Sequence, residues 1–184
     1  AELIRVREAH AADVVFGPVR TKLAARPRDH QDYFDAFFSR EADHAEGPIS
    51  MFYGCGCSLI RRAALPSAEP FSIARNEIGG EDDLLFQAME ANGARFAWAP
   101  NALVWETPEP SRVTLAYTLR RAFAYGQGPA TKAWTGPKRD ISAIAFWMAV
   151  GGGQTVVYGA AALGSFLAKT RRRAFAYRRF TEGL

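Results

Sequence analysis

The stretch Ile78–Phe86, with the sequence Ile-Gly-Gly-Glu-Asp-Asp-Leu-Leu-Phe, decides how this chain is interpreted. Two glycines precede three consecutive carboxylates, Glu81–Asp83, and apolar residues then continue one helical face until Asn92-Gly93 ends it. The dipole and the unpaired N–H groups of a helix N-terminus favour ionised carboxylates there. The motif therefore fits a general base or a metal ligand, and it equally fits acidic helix capping.

Segments on both sides of this motif predict a succession of short strands and helices. β-Branched residues predict a strand at Asp13–Arg20, and aromatic residues at helical spacing predict a helix at Gln31–Glu41. Two further strands are expected at Arg95–Ala99 and Ala102–Trp105, and a helix is expected over Arg112–Tyr125. This succession indicates an open, mixed α/β fold.

The order of these elements resembles the C-terminal half of a family 2 glycosyltransferase with the GT-A fold. The matching segments follow one another in the family's order and spacing: Ala12–Val19, Gly54–Arg62, Gly79–Asp82, Gly93–Pro100 and Arg112–Gly128. The likeness is to bacterial enzymes that build exopolysaccharide or other surface glycans. It implies an α/β fold that is the C-terminal half of a GT-A (nucleotide-diphospho-sugar transferase) fold, followed by a C-terminal hydrophobic helical segment.

The resemblance implies an activity, the inverting transfer of a sugar from a nucleotide sugar to a hydroxyl group. This reaction needs a base that takes the hydroxyl proton. Asp82 matches the second acid of the family's Glu-Asp pair and is expected to be that base. Glu81 is expected to hold acceptor hydroxyls or to orient the neighbouring loop, and Gly80 and Asp83 are further substrate-binding candidates. For each acid the alternative is a structural role in the first turn of the helix.

Arg112, Arg120 and Arg121 are candidates for binding the diphosphate of the donor. A guanidinium group is always charged and forms bidentate hydrogen bonds to phosphate. Arg112 and Arg120 are about 80° apart on a helical wheel, so one helix would turn both toward the same phosphate. A solvated or lipid-facing basic side is the alternative. The segment Gln127–Ala130 lacks the Gln-x-x-Arg-Trp pattern of processive relatives, so processivity is not supported.

The leaving diphosphate needs a divalent cation or basic donors to neutralise its developing charge. The resemblance implies Mg²⁺ or Mn²⁺ in the full-length enzyme, with ligands mostly upstream of this chain. Glu106 stands where many relatives have a metal-binding histidine; we interpret it as an exposed strand-end glutamate and assign no metal ligand here. Residues 1–135 are predicted to form a partial GT-A catalytic domain without its donor-binding N-terminal half. We expect such a fragment to be inactive alone.

A run without charged residues extends from Ile141 to Leu167 and exceeds the roughly 20 residues that cross a bilayer. The glycines Gly151–Gly153 interrupt the run, so we favour a re-entrant hairpin or two interfacial helices over a single span. Residues 136–184 are therefore predicted to be a hydrophobic, membrane-associating helical segment with a basic tail. Its expected location is the cytoplasmic face of the bacterial inner membrane. The competing interpretation is a buried helix pair within the soluble domain.

The distribution of charge separates the function classes. The formal net charge is +4, but basic residues crowd the C-terminus and acidic residues are concentrated before residue 110, unlike in a uniformly basic nucleic-acid binder. The expected partners are a nucleotide-sugar donor, a glycan or lipid-linked acceptor and the membrane. The alternative function is a non-catalytic, membrane-anchored domain that binds a glycan or a partner. An unrelated metal-binding or hydrolytic protein is disfavoured, because no nucleophile–base pair accompanies the acidic motif.

Overall fold

The computed structural model of this 184-residue chain describes residues 1–25, 27, 29–51, 53–71, 80–135 and 138–184. Ile78 and Gly79, which belong to the acidic motif, lie outside the described residues. The helices are α1 (Glu2–Ala9), α2 (Gln31–Phe38), α3 (Glu81–Ala91), α4 (Leu115–Thr135), α5 (Ile141–Leu167) and α6 (Arg173–Gly183). The strands are β1 (Val14–Phe16), β2 (Val19–Thr21), β3 (Gly47–Ile49), β4 (Ser58–Ile60), β5 (Phe96–Trp98) and β6 (Val104–Glu106).

In the part of the chain that the structure describes, β3, β5, β1 and β4 form a mixed sheet in that order. β1 is parallel to β5, with Val15 opposite Ala97, and antiparallel to β4, with Val15 opposite Leu59. β3 is antiparallel to β5 along its other side. β1 lies inside the sheet, and its three residues are all buried and apolar. A strand that is covered on both faces needs such a continuous apolar sequence.

The core lies on both faces of this sheet because side chains alternate along a strand. On one face, Phe16 and Trp98 pack with Phe86 of α3, and the ring centroids of Phe16 and Phe86 are 4.9 Å apart. On the other face, Val15 packs in a cluster with Val6 of α1. The packing of α3 fixes where its acidic first turn lies. The mixed α/β prediction is confirmed, whereas the GT-A assignment stays a prediction.

The strand predicted over Asp13–Arg20 is two strands in the structure. A break at Gly17 separates β1 from β2, and β2 pairs in parallel with β6 instead of extending the larger sheet. Glycine is needed at the break, because a Cβ atom there would lie 2.6 Å from the carbonyl oxygen of Ala102. The break also brings β2 to Arg40: Val19 and Arg40 form an antiparallel bridge with N···O distances of 2.9 and 2.8 Å.

The uncharged run forms one continuous helix, α5, so the predicted break at Gly151–Gly153 is wrong. Glycine inside a helix costs only about 1 kcal/mol relative to alanine, which packing readily offsets. Here one glycine has a packing role: a Cβ atom on Gly151 would lie 2.8 Å from the carbonyl oxygen of Gly183 in α6. Gly126 of α4 has a similar role, because its Cβ atom would lie 2.0 Å from the carbonyl oxygen of Glu182.

The helix predicted over Arg112–Tyr125 begins and ends later than expected. α4 starts after Thr114, whose Oγ1 accepts a hydrogen bond from the N–H three residues on at 3.2 Å, and it continues for ten residues beyond the predicted end. Arg112 lies in a 3₁₀ turn that precedes the helix. The helical-wheel relation between Arg112 and Arg120 is therefore wrong, because only Arg120 is on the helix.

The described residues divide into two compact units. The first comprises Ala1–Lys22 and Phe38–Thr107, and it contains the strands with α1 and α3. The second comprises Leu23–Phe37 and Pro108–Leu184, and it contains α4, α5, α6 and nearly all of α2. Within the second unit, Tyr33 of α2 packs edge to face on a phenylalanine of α6, with ring centroids 5.3 Å apart. The functional boundary predicted after residue 135 stays a prediction.

Candidate active site

The acidic motif occupies the first turn of α3. Gly80 is the N-cap residue and has φ +82°, a left-handed conformation that glycine adopts without steric cost. Glu81, Asp82 and Asp83 follow in the first turn, where the positive end of the helix dipole stabilises carboxylates. Glu81 and Asp82 are half-buried, and Asp83 is exposed. The structure thus places these four predicted site residues together, and their roles stay predictions.

Asp82 joins α3 to the glycine turn, residues 54–56, that precedes β4. The N–H of Cys55 donates to Asp82 Oδ2 at 3.2 Å, and the N–H of Asp83 donates to Oδ1 at 3.0 Å. A Cβ atom on Gly54 would lie 2.9 Å from the same Oδ2, so glycine leaves the room that this carboxylate needs. Backbone donors to a charged acceptor form strong, well-directed hydrogen bonds. They fix the orientation of the Asp82 carboxylate.

Arg40 brings a positive charge to the same glycine turn. A Cβ atom on Gly54 would lie 3.5 Å from Arg40 Nε, and one on Gly56 would lie 3.0 Å from a terminal guanidinium nitrogen of Arg40. The guanidinium also donates to Oε2 of Glu106 at 3.0 Å. The Asp82 carboxylate and the Arg40–Glu106 ion pair therefore border the same short turn.

Sequence reasoning missed Arg40 because no local pattern marks it. Its position depends on the bridge to Val19 and on the pairing of β2 with β6, which are contacts between distant segments. Glu106, which we interpreted as an exposed strand-end glutamate, is 38% exposed and is the ion-pair partner of Arg40. The sequence marked only Glu106 of this ion pair, as a carboxylate at the end of a predicted strand.

The pKa of the Cys55 thiol is affected by burial and by the carboxylates of the site. Burial first, and then the Asp82 and Glu81 carboxylates, raise the pKa of this thiol to about 11. The thiol is therefore protonated at neutral pH and is a poor nucleophile. Burial also raises the pKa of Cys57, whose Sγ donates to the carbonyl oxygen of Ala102 at 3.0 Å. Neither thiol is therefore suited to act as a nucleophile at neutral pH.

The three predicted phosphate-binding arginines lie in the second unit. Arg112 Nε is 3.8 Å from a carboxylate oxygen of Glu109. Arg120 Nε donates to the carbonyl oxygen four residues earlier at 3.2 Å. Arg121 donates to the hydroxyl of Tyr125 at 3.1 Å, and its guanidinium carbon lies 5.0 Å from the centre of that ring. Each arginine thus has a neighbour on its own segment, and a diphosphate-binding role stays a prediction.

This arrangement is suited to accepting a proton. An ionised carboxylate has only acceptor oxygens, and those of Asp82 are fixed by backbone N–H groups at the edge of a half-exposed turn. A hydroxyl group that approaches this turn can transfer its proton to Asp82. Among the described residues, no group of three or more His, Cys, Asp or Glu side chains is arranged to hold a metal ion.

The chain is similar to a known bacterial protein of exopolysaccharide synthesis. Over 125 residues the chain is 31% identical to the succinoglycan biosynthesis protein ExoM of Rhizobium meliloti (strain 1021). This match covers 68% of the chain and 40% of the relative, so the chain spans about two fifths of the length of that protein. No family model matches the chain, and no solved structure matches it. The similarity relates the chain to bacterial exopolysaccharide synthesis.

Proposed function

We propose that this chain is the acceptor-side part of an inverting glycosyltransferase that acts in surface polysaccharide synthesis. The enzyme moves a sugar from a nucleotide-sugar donor to a glycan or lipid-linked acceptor. The observation that supports this proposal is the Asp82 carboxylate, oriented by the Cys55 N–H at the start of α3. The similarity to a succinoglycan biosynthesis protein supports it independently.

The proposed reaction is a single displacement at the anomeric carbon. The acceptor oxygen forms a bond to this carbon while the bond from the carbon to the diphosphate oxygen breaks, and the nucleoside diphosphate leaves with the electron pair. Asp82 takes the acceptor proton as the new bond forms. Glu81 hydrogen-bonds another acceptor hydroxyl or orients the glycine turn, and the Arg40–Glu106 pair lies beside that turn.

The nucleoside diphosphate gains negative charge as it leaves. A divalent cation, Mg²⁺ or Mn²⁺, neutralises such charge when it is bound. From the family resemblance, we propose that its ligands lie mostly in the part of the parent enzyme outside this chain. Within this chain, the donors that suit the diphosphate are Arg112, Arg120 and Arg121.

We further propose that α5 attaches the enzyme to the cytoplasmic face of the inner membrane. Among the described residues, α5 is the helix that is long and apolar enough to cross a bilayer, and no residue of its most apolar part is buried. Its close contacts with α6 favour an interfacial position: α6 approaches α5 at Gly151 and Gly159. A spanning α5 would draw Arg178, Arg179 and Glu182 of α6 into the hydrocarbon core, which is costly.

The substitution Asp82→Asn in the full-length parent enzyme tests the catalytic proposal. The amide keeps the shape of the side chain but cannot take the proton, so we expect turnover to fall by about 10²–10⁴-fold. Binding of the nucleotide sugar is expected to change little, because the diphosphate is held elsewhere. Turnover and donor affinity are measured separately on the purified enzyme.

Glu90→Gln is the matched control for this experiment. Glu90 is exposed on the same helix, and its substitution makes the same change of charge. It is expected to leave turnover near the wild-type value. Near-normal turnover in Asp82→Asn would show that the base is another residue. Absence of transfer by the unmodified parent would favour the non-catalytic, glycan- or partner-binding alternative.

A further inference from the structure

The second unit contains a cavity of about 470 Å³ between the start of α2 and the loop that joins α5 to α6. The charged residues that line it come from these two segments: Asp29, His30 and Asp32 from the first, and Lys169, Arg171 and Arg173 from the second. The cavity thus has one cationic wall and one wall with two carboxylates. The Asp82 site does not include it.

The cationic wall lacks counter-charges of its own. Among the described residues, none of Lys169, Arg171 and Arg173 forms an ion pair. Two other arginines of α6 are paired: Arg178 and Arg179 both form ion pairs with Glu182, at 2.7 and 3.2 Å. Three cations that face one cavity repel one another, and an anion placed among them relieves that repulsion.

The opposite wall positions such an anion instead of excluding it. Asp32 lies in the first turn of α2, where the positive end of the helix offsets its charge. Asp29 and Asp32 repel an anion from their own side of the cavity. A bound anion is therefore expected against Arg171 and Arg173, whose planar guanidinium groups match the oxygens of a phosphate.

The backbone on both sides of the cavity is in an unusual conformation. His30 has φ +65° and Lys169 has φ +50°, a left-handed conformation that is unfavourable for side chains with a Cβ atom. Both residues line the cavity, and they come from its opposite walls. Lys169 has this conformation because it follows the C-cap of α5: its N–H and that of Thr170 donate to the carbonyl oxygens of Phe166 and Ser165, an arrangement that commonly ends a helix. This cap fixes the start of the loop that carries Lys169 and Arg171.

The neighbouring end of α5 indicates what the anion is attached to. Leu163, Phe166 and Leu167 are 61%, 62% and 70% exposed, and they lie at the end of α5, two to six residues before Lys169. A free anion would contact only the cationic wall, whereas an anion with a hydrocarbon chain would also bury part of this apolar surface. We propose that the cavity binds the phosphomonoester or diphosphate headgroup of a lipid, whose chain lies along the end of α5. This inference rests on the proposed attachment to the membrane and concerns the acceptor side of the enzyme.

Vesicle flotation of the 184-residue chain tests this proposal. Phosphatidylcholine vesicles are prepared with phosphatidic acid, a phosphomonoester, or with phosphatidylglycerol, a diester, at equal measured surface charge. We expect roughly tenfold tighter binding to phosphatidic acid, because a monoester offers a terminal phosphate to both guanidinium groups. Inorganic pyrophosphate in solution is the third arm, and it is expected to compete only weakly because it has no hydrocarbon chain.

Variants locate the preference in the cavity. The double substitution Arg171→Gln with Arg173→Gln is expected to abolish the preference for phosphatidic acid. Its charge-matched control is Arg172→Gln with Lys138→Gln, since both residues are exposed and neither lines the cavity. The control variant is expected to keep the tenfold preference for phosphatidic acid. The general electrostatic attraction to anionic vesicles is expected to fall equally in the two double variants.

Circular dichroism verifies that each variant keeps its helices. If the cavity double variant unfolds, Lys169→Asn replaces it, because asparagine tolerates the left-handed backbone at that position. Equal binding of the unmodified chain to both kinds of vesicle would overturn the proposal, and so would an equal loss of preference in the two double variants. Pyrophosphate binding as tight as that of phosphatidic acid would show a site for free phosphate instead. No sugar transfer is measured, so failure here leaves the test of Asp82 unaffected.

Discussion

The Asp82 region and the α5–α6 region differ in how far their charged groups are paired and their apolar groups are buried. In the first unit, Arg40 and Glu106 form an ion pair beside the turn that contacts Asp82, and Phe86 of the core is fully buried. In the second unit, α5 leaves Val156 74% and Met148 69% exposed, and within the described residues the cationic wall of the cavity forms no ion pairs. Extended apolar surface of this kind marks a site of interaction.

This difference is consistent with the separate tasks that we propose for the two units. A catalytic carboxylate must be held in one orientation, and a network of internal partners provides this. A surface that associates with another phase must instead leave its apolar and cationic groups available until the association occurs. The first unit is therefore suited to the proposed chemistry, and the second to the proposed attachment. Substitutions that test how each unit is stabilised can break or sharpen this distinction.

The largest effect on stability is expected from Gly126→Ala in the second unit. The new Cβ atom would lie 2.0 Å from the carbonyl oxygen of Glu182, so the backbones of α4 and α6 must move apart. Overpacking of this kind costs roughly 1–3 kcal/mol, and we expect the upper end because backbone atoms are involved. Urea unfolding of the 184-residue chain, followed by circular dichroism, measures this loss.

Gly128→Ala on the same helix is the matched control. No atom lies within 4 Å of the position that its Cβ would take, so the substitution should be neutral or stabilise the helix by up to about 1 kcal/mol. Equal stability of the two variants would contradict the close approach of α4 and α6. It would then follow that the second unit is stabilised by side-chain contacts alone.

The parts of the fold that were predicted correctly depend on local signals. The glycine and the acids at the start of α3 and the apolar residues of β5 each define an element within a few residues. Helix capping and the alternation of side chains act over such short distances. The position of Asp82 at a helix N-terminus could therefore be predicted from its neighbours in sequence.

The parts that were missed depend on contacts between distant segments. Gly151 favoured a helix break because its packing partner, α6, cannot be identified from the uncharged run itself. Arg40 joined the site through a strand bridge that follows from the break in the predicted strand at Gly17. In each case tertiary packing overrode the local pattern.

An intermediate effect is expected from Asp13→Asn in the first unit. The carboxylate of Asp13 accepts hydrogen bonds from the Arg95 N–H at 3.0 Å and from the Arg61 guanidinium at 3.3 Å, so it connects β1 to the residues beside β4 and β5. The hydrogen bond from the Arg95 backbone is the main cause that lowers the pKa of this carboxyl below its usual value, and Arg61 adds to it. We expect a loss of about 1–2 kcal/mol at pH 7.

The pH dependence of this loss distinguishes charge from packing. Because the pKa of Asp13 is lower in the folded chain than in the unfolded chain, the contribution is complete above the unfolded value of about 3.9. It disappears as the pH falls through the lower, folded value. The difference in unfolding free energy between Asp13→Asn and the unmodified chain should therefore shrink below about pH 4. A difference that stays constant from neutral to acidic pH would show that the amide disturbs packing instead.

The smallest effect on stability is expected from the Arg40–Glu106 pair. The two side chains are 44% and 38% exposed, and ion pairs with such access to water contribute about 0–1 kcal/mol. A double-mutant cycle with Arg40→Gln and Glu106→Gln, measured by urea unfolding, gives this coupling directly. A value well above 1 kcal/mol would show that the pair stabilises the first unit. A small value, together with reduced turnover of the full-length parent in Arg40→Gln, would indicate that the arginine serves the glycine turn beside Asp82 and contributes little to the fold.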